Sequence, residues 1–240
     1  ETCCLTDMIE AAILLARHRS PIYWNDVERY ARNYLLAHQY SDMAWIDSLT
    51  CSESNSNWQK EAFGRPDAVK SESFRDSLLG GFAGWGAIGS ISDNTAYGNA
   101  NQHCCNAAGA RALADVWSNI LDDDSRTLQI NLHLHRTSEA AAVIAEESES
   151  LKLLVHLRKD RALRVRITDF VKASEISVQS SGKDIAASSD GTFLSLGNFK
   201  QGELIEISYP LPVRVTEESF AGSKWQYVWQ GATVESVSPV

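Results

Sequence analysis

The sequence has no surplus of positive charge. Among its 240 residues, 22 Lys and Arg stand against 31 Asp and Glu, for a formal net charge of −9. Nucleic acid and anionic membrane both reward clustered basic side chains, so neither suits this chain as its main partner, whereas a neutral substrate does. It also lacks any apolar run approaching the roughly 18 residues that span a bilayer. A basic, apolar, small-residue leader pattern is missing at the start. No internal repeat or low-complexity tract stands out. The five cysteines, Cys3, Cys4, Cys51, Cys104 and Cys105, are odd in number and include two adjacent pairs, which makes a poor disulfide framework. Reduced thiols or metal ligands fit better, and reduced thiols favour a cytoplasmic setting without fixing the compartment. The opening on Glu1 instead of Met, directly against a cysteine pair, suggests a fragment or a processed chain.

What is present is a globular composition, 44% hydrophobic, with a change of pattern near the middle. Thr6 and Asp7 can cap a helix whose apolar positions Met8, Ile9, Ala12, Ile13 and Ala16 recur at helical spacing, and Ser20-Pro21 ends it. A second helix is expected from near Asn25 to His38, antiparallel to the first. Residues 48–73 read as a polar, irregular stretch with an exposed loop at Ser52–Asn57. The run Gly80-Gly-Phe-Ala-Gly-Trp-Gly86 lacks the Lys-Ser/Thr ending of a phosphate loop and reads as a tightly packed turn. A third helix is expected over Ala107–Leu121, with Ala110, Leu113, Ala114, Trp117 and Leu121 on one face, ended by Asp122-Asp123-Asp124.

Beyond that break the spacing alternates. Leu128, Ile130, Leu132 and Leu134 face one way while Gln129, Asn131, His133 and His135 face the other. Further strands are expected over 151–157, 163–167, 175–179, 192–196 and 204–209, and short strands at this spacing make a sandwich or jelly roll. The fold class is therefore α+β, with a helical region over 1–124 and a β region over 125–240.

The concentrated chemistry lies in Glu1-Thr2-Cys3-Cys4 and His103-Cys104-Cys105, each read as sitting just before a helix. A thiolate at a helix N-terminus has a lowered pKa and is a soft ligand suited to zinc. One carboxylate with three thiolates would complete a four-coordinate site. A lone Cys at such a place is best explained as a small buried residue. Two adjacent pairs, one beside Glu and one beside His, favour a metal. Neither pair has the two-residue gap of a zinc finger or ribbon.

Glu1-Thr2-Cys3 leading into a helix, Cys104-Cys105 leading into another with Asn106 and Ala110-Arg-Ala-Leu113, and the strand Leu128-Gln-Ile-Asn-Leu132 together resemble the β-L-arabinofuranosidases of glycoside hydrolase family 127. The segments Leu163-Arg-Val-Arg-Ile167, Gly202-Glu-Leu-Ile-Glu-Ile207 and Leu211-Pro-Val-Arg214 are similar to that family's β-domain. The resemblance implies the last helices of an (α/α) toroid followed by an antiparallel β-sandwich. It also implies zinc bound by Glu1, Cys3, Cys104 and Cys105, with Cys104 the nucleophile, and a carbohydrate substrate bearing a terminal arabinofuranosyl or related sugar. The family's acid/base carboxylate precedes its Glu-x-Cys motif, so this chain is expected to be a C-terminal fragment without it. After the double cysteine, Asn106-Ala-Ala-Gly109 replaces a proline-containing segment found in many members, which bears on sugar specificity.

Glu28, His103 and Trp85 are candidate sugar contacts, by carboxylate, imidazole and ring stacking respectively. Against each stands an ordinary alternative: a solvated helix face for Glu28, a loop residue for His103, a packed turn for Trp85. His133 and His135 read as a polar outer strand face, and Trp24, Trp45 and Trp117 as packing between helices. The rival to an enzyme is a noncatalytic carbohydrate-binding or scaffold protein with a structural zinc.

Overall fold

The computed structural model describes residues 1–41, 79–84, 103–220 and 222–240. They form a mixed α+β fold that divides into two compact units. The first comprises Glu1–Ala11 and Tyr30–Asp115, the second Ala12–Arg29 and Val116–Val240. Cys51, Trp45, Trp85 and the expected loop over 48–73 lie outside the described residues.

Helix α1 covers Thr2–His18 and buries Leu5, Ile9, Ala12, Ile13 and Ala16, the i, i+4, i+7 face that the spacing predicts. Met8 is the exception, 48% exposed. The helix starts four residues earlier than the Thr6 cap predicts, because the Thr2 N–H finds the Gly84 carbonyl at 3.1 Å. A tertiary acceptor thus satisfies one of the N–H groups that every helix start leaves open. After a short turn at Pro21–Tyr23, α2 runs Trp24–Arg29. It widens into a π-helical stretch at Tyr30–Leu35 and tightens into a final turn at Leu36–His38.

Helix α3 covers His103–Asn119 and differs in phase from the expected face. Cys105, Ala108, Ala112 and Val116 are buried, while Leu113 and Trp117 are 43% and 48% exposed. The reason is close approach. A Cβ added at Gly109 would fall 2.2 Å from Cγ of Phe82, so the ring lies on bare helix backbone and the small-residue face turns inward. The large apolar side chains are left outside, and Trp117 lies under the Arg136 guanidinium at 6.0 Å.

The second unit carries the sheets. The strands are β1 (Leu121–Asp123), β2 (Thr127–Ile130), β3 (Arg136–Thr137), β4 (Ala141–Glu147), β5 (Ser150–Leu157), β6 (Arg161–Arg166), β7 (Ser177–Ser180), β8 (Lys183–Asp184), β9 (Ser188–Ser189), β10 (Phe193–Phe199), β11 (Leu204–Pro210), β12 (Val213–Phe220), β13 (Ser223–Gln230) and β14 (Thr233–Pro239). They form sheets in the orders β1-β2-β6-β10-β9, β3-β4-β5-β11-β7-β8 and β12-β13-β14. Pairing is antiparallel except between β2 and β6. Alternation hides one side of each large sheet: Leu151, Leu153, Val155 and Leu157 on β5, Leu163 and Val165 on β6, Ile205, Ile207 and Tyr209 on β11. In β10 the register slips between Ser195 and Gly197, where Gly197 has φ +94°, a bulge conformation that glycine adopts without a Cβ clash.

The expected alternation past Ile130 does not continue. Asn131 N–H and Leu132 N–H both turn to the Ile120 carbonyl, at 2.9 and 3.4 Å, and the strand ends there. His133 is consequently buried, not outward-facing, and its Nδ1 hydrogen-bonds the Tyr209 hydroxyl. His135 is exposed, and its Nδ1 accepts from Ala145 N–H at 3.2 Å.

Candidate metal centre

The thiols of Cys3, Cys104 and Cys105 meet in the first unit, all within 4.8 Å of one another. Cys3 belongs to the first turn of α1, and Cys104 with Cys105 to the first turn of α3, inside each helix rather than before it. The strip at residues 79–84 fastens these two helix starts. Gly80 turns it with φ +83°, Tyr40 N–H donates to the Gly81 carbonyl at 2.8 Å and Ala83 N–H to the His38 carbonyl at 2.7 Å. Phe82 N–H donates to Asn106 Oδ1 at 2.6 Å, next to the cysteine pair. The Gly84 carbonyl then accepts from Thr2 N–H at 3.1 Å and from Cys105 Sγ at 3.6 Å. One backbone oxygen therefore aligns residues from both helix starts.

Thr2 and His38 complete this support. Thr2 Oγ1 donates to the Ala83 carbonyl and lies 2.8 Å from His38 Nδ1. Both side chains are buried, and burial holds the His38 imidazole below its ordinary pKa. The supporting role of Thr2, His38, Asn106 and the 79–84 carbonyls was not read from the sequence. His38 reads in the sequence only as the end of the second helix, and for the rest only the adjacency of Thr2 and Asn106 to the cysteines hinted at a role.

The spacing of the sulfurs fits a metal. Cys3 Sγ and Cys105 Sγ are 3.4 Å apart and Cys104 Sγ and Cys105 Sγ 3.9 Å apart. Thiolates at the ~2.3 Å bond length of tetrahedral zinc sit about 3.8 Å from each other. Without a cation the same crowding works against ionisation. Burial foremost, then the hydrogen bond and charge of Cys105 and those of Cys104, push the Cys3 thiol up to about 12. Burial raises Cys105 as well, reinforced by Cys104 and opposed by its bonds with Cys3. The first-turn N–H dipoles of each helix favour a thiolate, but at Cys3 and Cys105 burial outweighs them. A divalent cation would reverse that balance by supplying the missing positive charge.

Within the group the roles diverge by exposure. Cys105 is fully buried, Cys3 is half-buried and Cys104 is exposed. Glu1 does not join them: its carboxylate is exposed and lies 4.0 Å from the thiol of Cys4. The side chain of His103 and all of Trp85 lie outside the described residues.

Glu28 is placed quite differently from a solvated helix face. It belongs to the second unit, is 2% exposed, and its Oε2 accepts from the Arg166 guanidinium and from His133 N–H at 3.3 Å. Arg166, itself 1% exposed, also reaches Asn25 Oδ1 and the Asn131 carbonyl. The carboxylate that the sequence offered to a sugar is engaged in an interior ion pair, because α2 turns that side inward against β6.

No family model matches the chain, and no curated protein matches it either. Solved structures do. The crystal structure of Ara127N, a family 127 β-L-arabinofuranosidase from Geobacillus stearothermophilus T6, superposes with a TM-score of 0.54 at 15% identity over 98% of this chain. The family 127 β-arabinofuranosidase BT3674 gives 0.54 at 13% identity over 98% of this chain. This chain spans 36% of the length of each, and at such identity the likeness is one of fold: the chain has the fold of that part of these glycoside hydrolases.

Proposed function

We propose that this chain is the C-terminal part of a zinc-dependent, retaining glycosidase that releases a terminal β-L-arabinofuranosyl or related furanosyl residue. Residues 1–124 supply the last helices of its (α/α) toroid and residues 125–240 its β-sandwich. The observation that carries this reading is the meeting of Cys3, Cys104 and Cys105 at two helix starts, in a fold shared with two arabinofuranosidases.

In this reading Cys3, Cys104 and Cys105 hold zinc, and Glu1, whose exposed carboxylate stands beside the Cys4 thiol, turns in as the fourth ligand when the metal binds. The metal supplies one thing, the positive charge that keeps crowded thiols deprotonated at neutral pH. Cys105, fully buried, anchors the group. Cys104, exposed, is the nucleophile. Its sulfur attacks the anomeric carbon as the glycosidic C–O bond breaks, and a carboxylic acid from an upstream segment protonates the departing oxygen. Water, deprotonated by the same carboxylate, then attacks that carbon and the C–S bond breaks, which returns the thiolate and retains configuration. His103 and Trp85 are the proposed sugar contacts. Glu28 serves the fold through Arg166 in place of the sugar contact expected of it.

The rival reading, a noncatalytic carbohydrate-binding or scaffold protein with a structural zinc, draws on the burial of Cys105. The two part at Cys104. Zinc is first quantified in the chelator-washed chain by elemental mass spectrometry, beside a Cys104→Ala/Cys105→Ala variant. The zinc-loaded chain is then treated with an electrophilic β-L-arabinofuranosyl mimic and digested. Near-stoichiometric zinc, lost in the variant, with label on the Cys104 peptide supports the enzyme; zinc without label supports the structural site; a folded chain that takes no zinc overturns both.

A further inference from the structure

The second unit contains a cleft of about 600 Å³, lined by the end of α1 and by β1, β2, β6 and the β9–β10 turn, within the size range of small-molecule sites. Its polar groups are held in place. Arg164 on β6 donates through Nη2 to Asp190 Oδ2 at 2.7 Å and through Nη1 to Gln129 Oε1 at 3.1 Å. The guanidinium lies 4.7 Å over the Phe193 ring. Asp190 is fixed from behind, its Oδ1 accepting Thr192 N–H at 2.9 Å and Phe193 N–H at 2.7 Å. Gln129 is fixed likewise, donating to Asn131 Oδ1 at 2.8 Å. The far wall carries Arg17, whose Nε donates to Asn119 Oδ1 at 2.8 Å.

Charge selects the ligand. Arg17 and Arg164 are matched by Asp122 and Asp190, so an anion or a cation entering the cleft meets its own sign as often as the opposite one. A neutral hydroxyl meets no such conflict, because it both donates and accepts and can bond to guanidinium, carboxylate and amide alike. Groups already oriented by a second layer of hydrogen bonds lose little freedom when they take up such a ligand. We propose that this cleft is a binding site for a neutral, polyhydroxylated ligand of about disaccharide size, gripped by Arg164, Asp190 and Gln129. The cleft lies in the second unit and the thiols in the first, so the site does not depend on the cysteine chemistry proposed above.

The test is a titration of the 240-residue chain, and separately of its Cys104→Ala variant, with arabinobiose and xylobiose, followed by calorimetry and by amide chemical shifts. Inorganic phosphate and Ca²⁺ serve as charged probes. Saturable disaccharide binding is expected, equal in the two proteins, with shifts at Gln129, Arg164, Thr192 and Phe193. Thr192→Trp, which fills the cleft, is expected to weaken it at least about ten-fold. Asp122→Ala, at an exposed position that leaves the core untouched, is expected to weaken it several-fold and covers the case in which Thr192→Trp does not fold. Absence of saturable disaccharide binding, binding indifferent to both substitutions, or phosphate or Ca²⁺ taking the cleft in place of sugar would each overturn the site. Loss of zinc or of Cys104 labelling with sugar binding intact would leave this site standing while removing the glycosidase reading.

Discussion

Two of the polar clusters among the described residues are opposites. Around Arg166, in the second unit, every strong charge printed by the sequence meets its complement: Glu28 takes the guanidinium and a backbone N–H, while Asn25 and the Asn131 carbonyl take further donors. Around Cys3, in the first unit, three thiols are crowded together, and burial above all makes Cys3 and Cys105 hard to ionise. A polar cluster that neutralises itself is part of the scaffold, since adding a ligand gains nothing there. A cluster of would-be anions buried without a counter-charge has a demand that only an outside cation can meet.

The contrast is sharpened by substitutions at each place. Arg166→Met leaves the Glu28 carboxylate buried without its cation and is expected to lower stability by about 3–5 kcal/mol in chemical denaturation. Adding Glu28→Gln is expected to recover much of that loss, because the amide needs no counter-charge and still accepts from His133. An unchanged denaturation midpoint in Arg166→Met would erase the distinction between the two clusters. Zinc comes next: at about a hundredfold excess over its dissociation constant it stabilises by ~2.7 kcal/mol, seen as a raised melting temperature that Cys3→Ala or Cys105→Ala abolishes. A zinc-induced rise that survives in Cys105→Ala would place the metal elsewhere.

Gly109→Ala probes the frame of the cysteine site. The new methyl collides with the root of the Phe82 ring, not its flexible end, so about 1–3 kcal/mol of destabilisation is expected, together with weaker zinc uptake. Phe82→Leu in the same chain should relieve part of it. The smallest effect belongs to the surface. Arg161, followed by a backbone bond from Ser125, holds Asp123 below the ordinary carboxylate range against the opposing effect of burial. A depressed folded pKa contributes stability above the unfolded value and loses it as pH falls through the folded one. Asp123→Asn should therefore lower stability at neutral pH by less than about 1 kcal/mol, leave it nearly unchanged once the pH has fallen through the folded value, and so flatten the acid side of the profile.

Much of this was legible from residue order. Ser20-Pro21 does end α1, and the strands over 150–157 and 204–210 fall where alternating Leu, Val and Ile put them. The adjacent cysteines do come together in space. What escaped was set by partners distant in sequence. α1 begins at Thr2 because of a carbonyl 82 residues away, and α3 turns its small side inward because Phe82 lies there. Ala141–Glu147 forms β4 although alanine and glutamate favour helix, since pairing with β5 overrides a weak local preference. Glu28 looked solvated beside Arg29 and Arg32, and nothing local to α2 revealed Arg166. Reactive residue types are visible in a sequence; the backbone oxygens and buried counter-charges that set their behaviour are not.

The one parallel pair among the described residues, β2 with β6, matches Leu128 to Leu163 and Ile130 to Val165, so it cannot form as a simple hairpin. The intervening chain contains β4 and β5, joined through Ser148 and Glu149 and matched from Ala141–Leu157 to Glu147–Leu151. Zipping that hairpin first draws residues 140 and 158 together, where Arg158 N–H meets the Ala140 carbonyl at 2.8 Å. The loop that β2 and β6 must then close is shortened, and with it the entropic cost of their encounter. This parallel pairing favours an order of events on folding: the β4–β5 hairpin in the middle of the β region assembles before β2 and β6 close on each other.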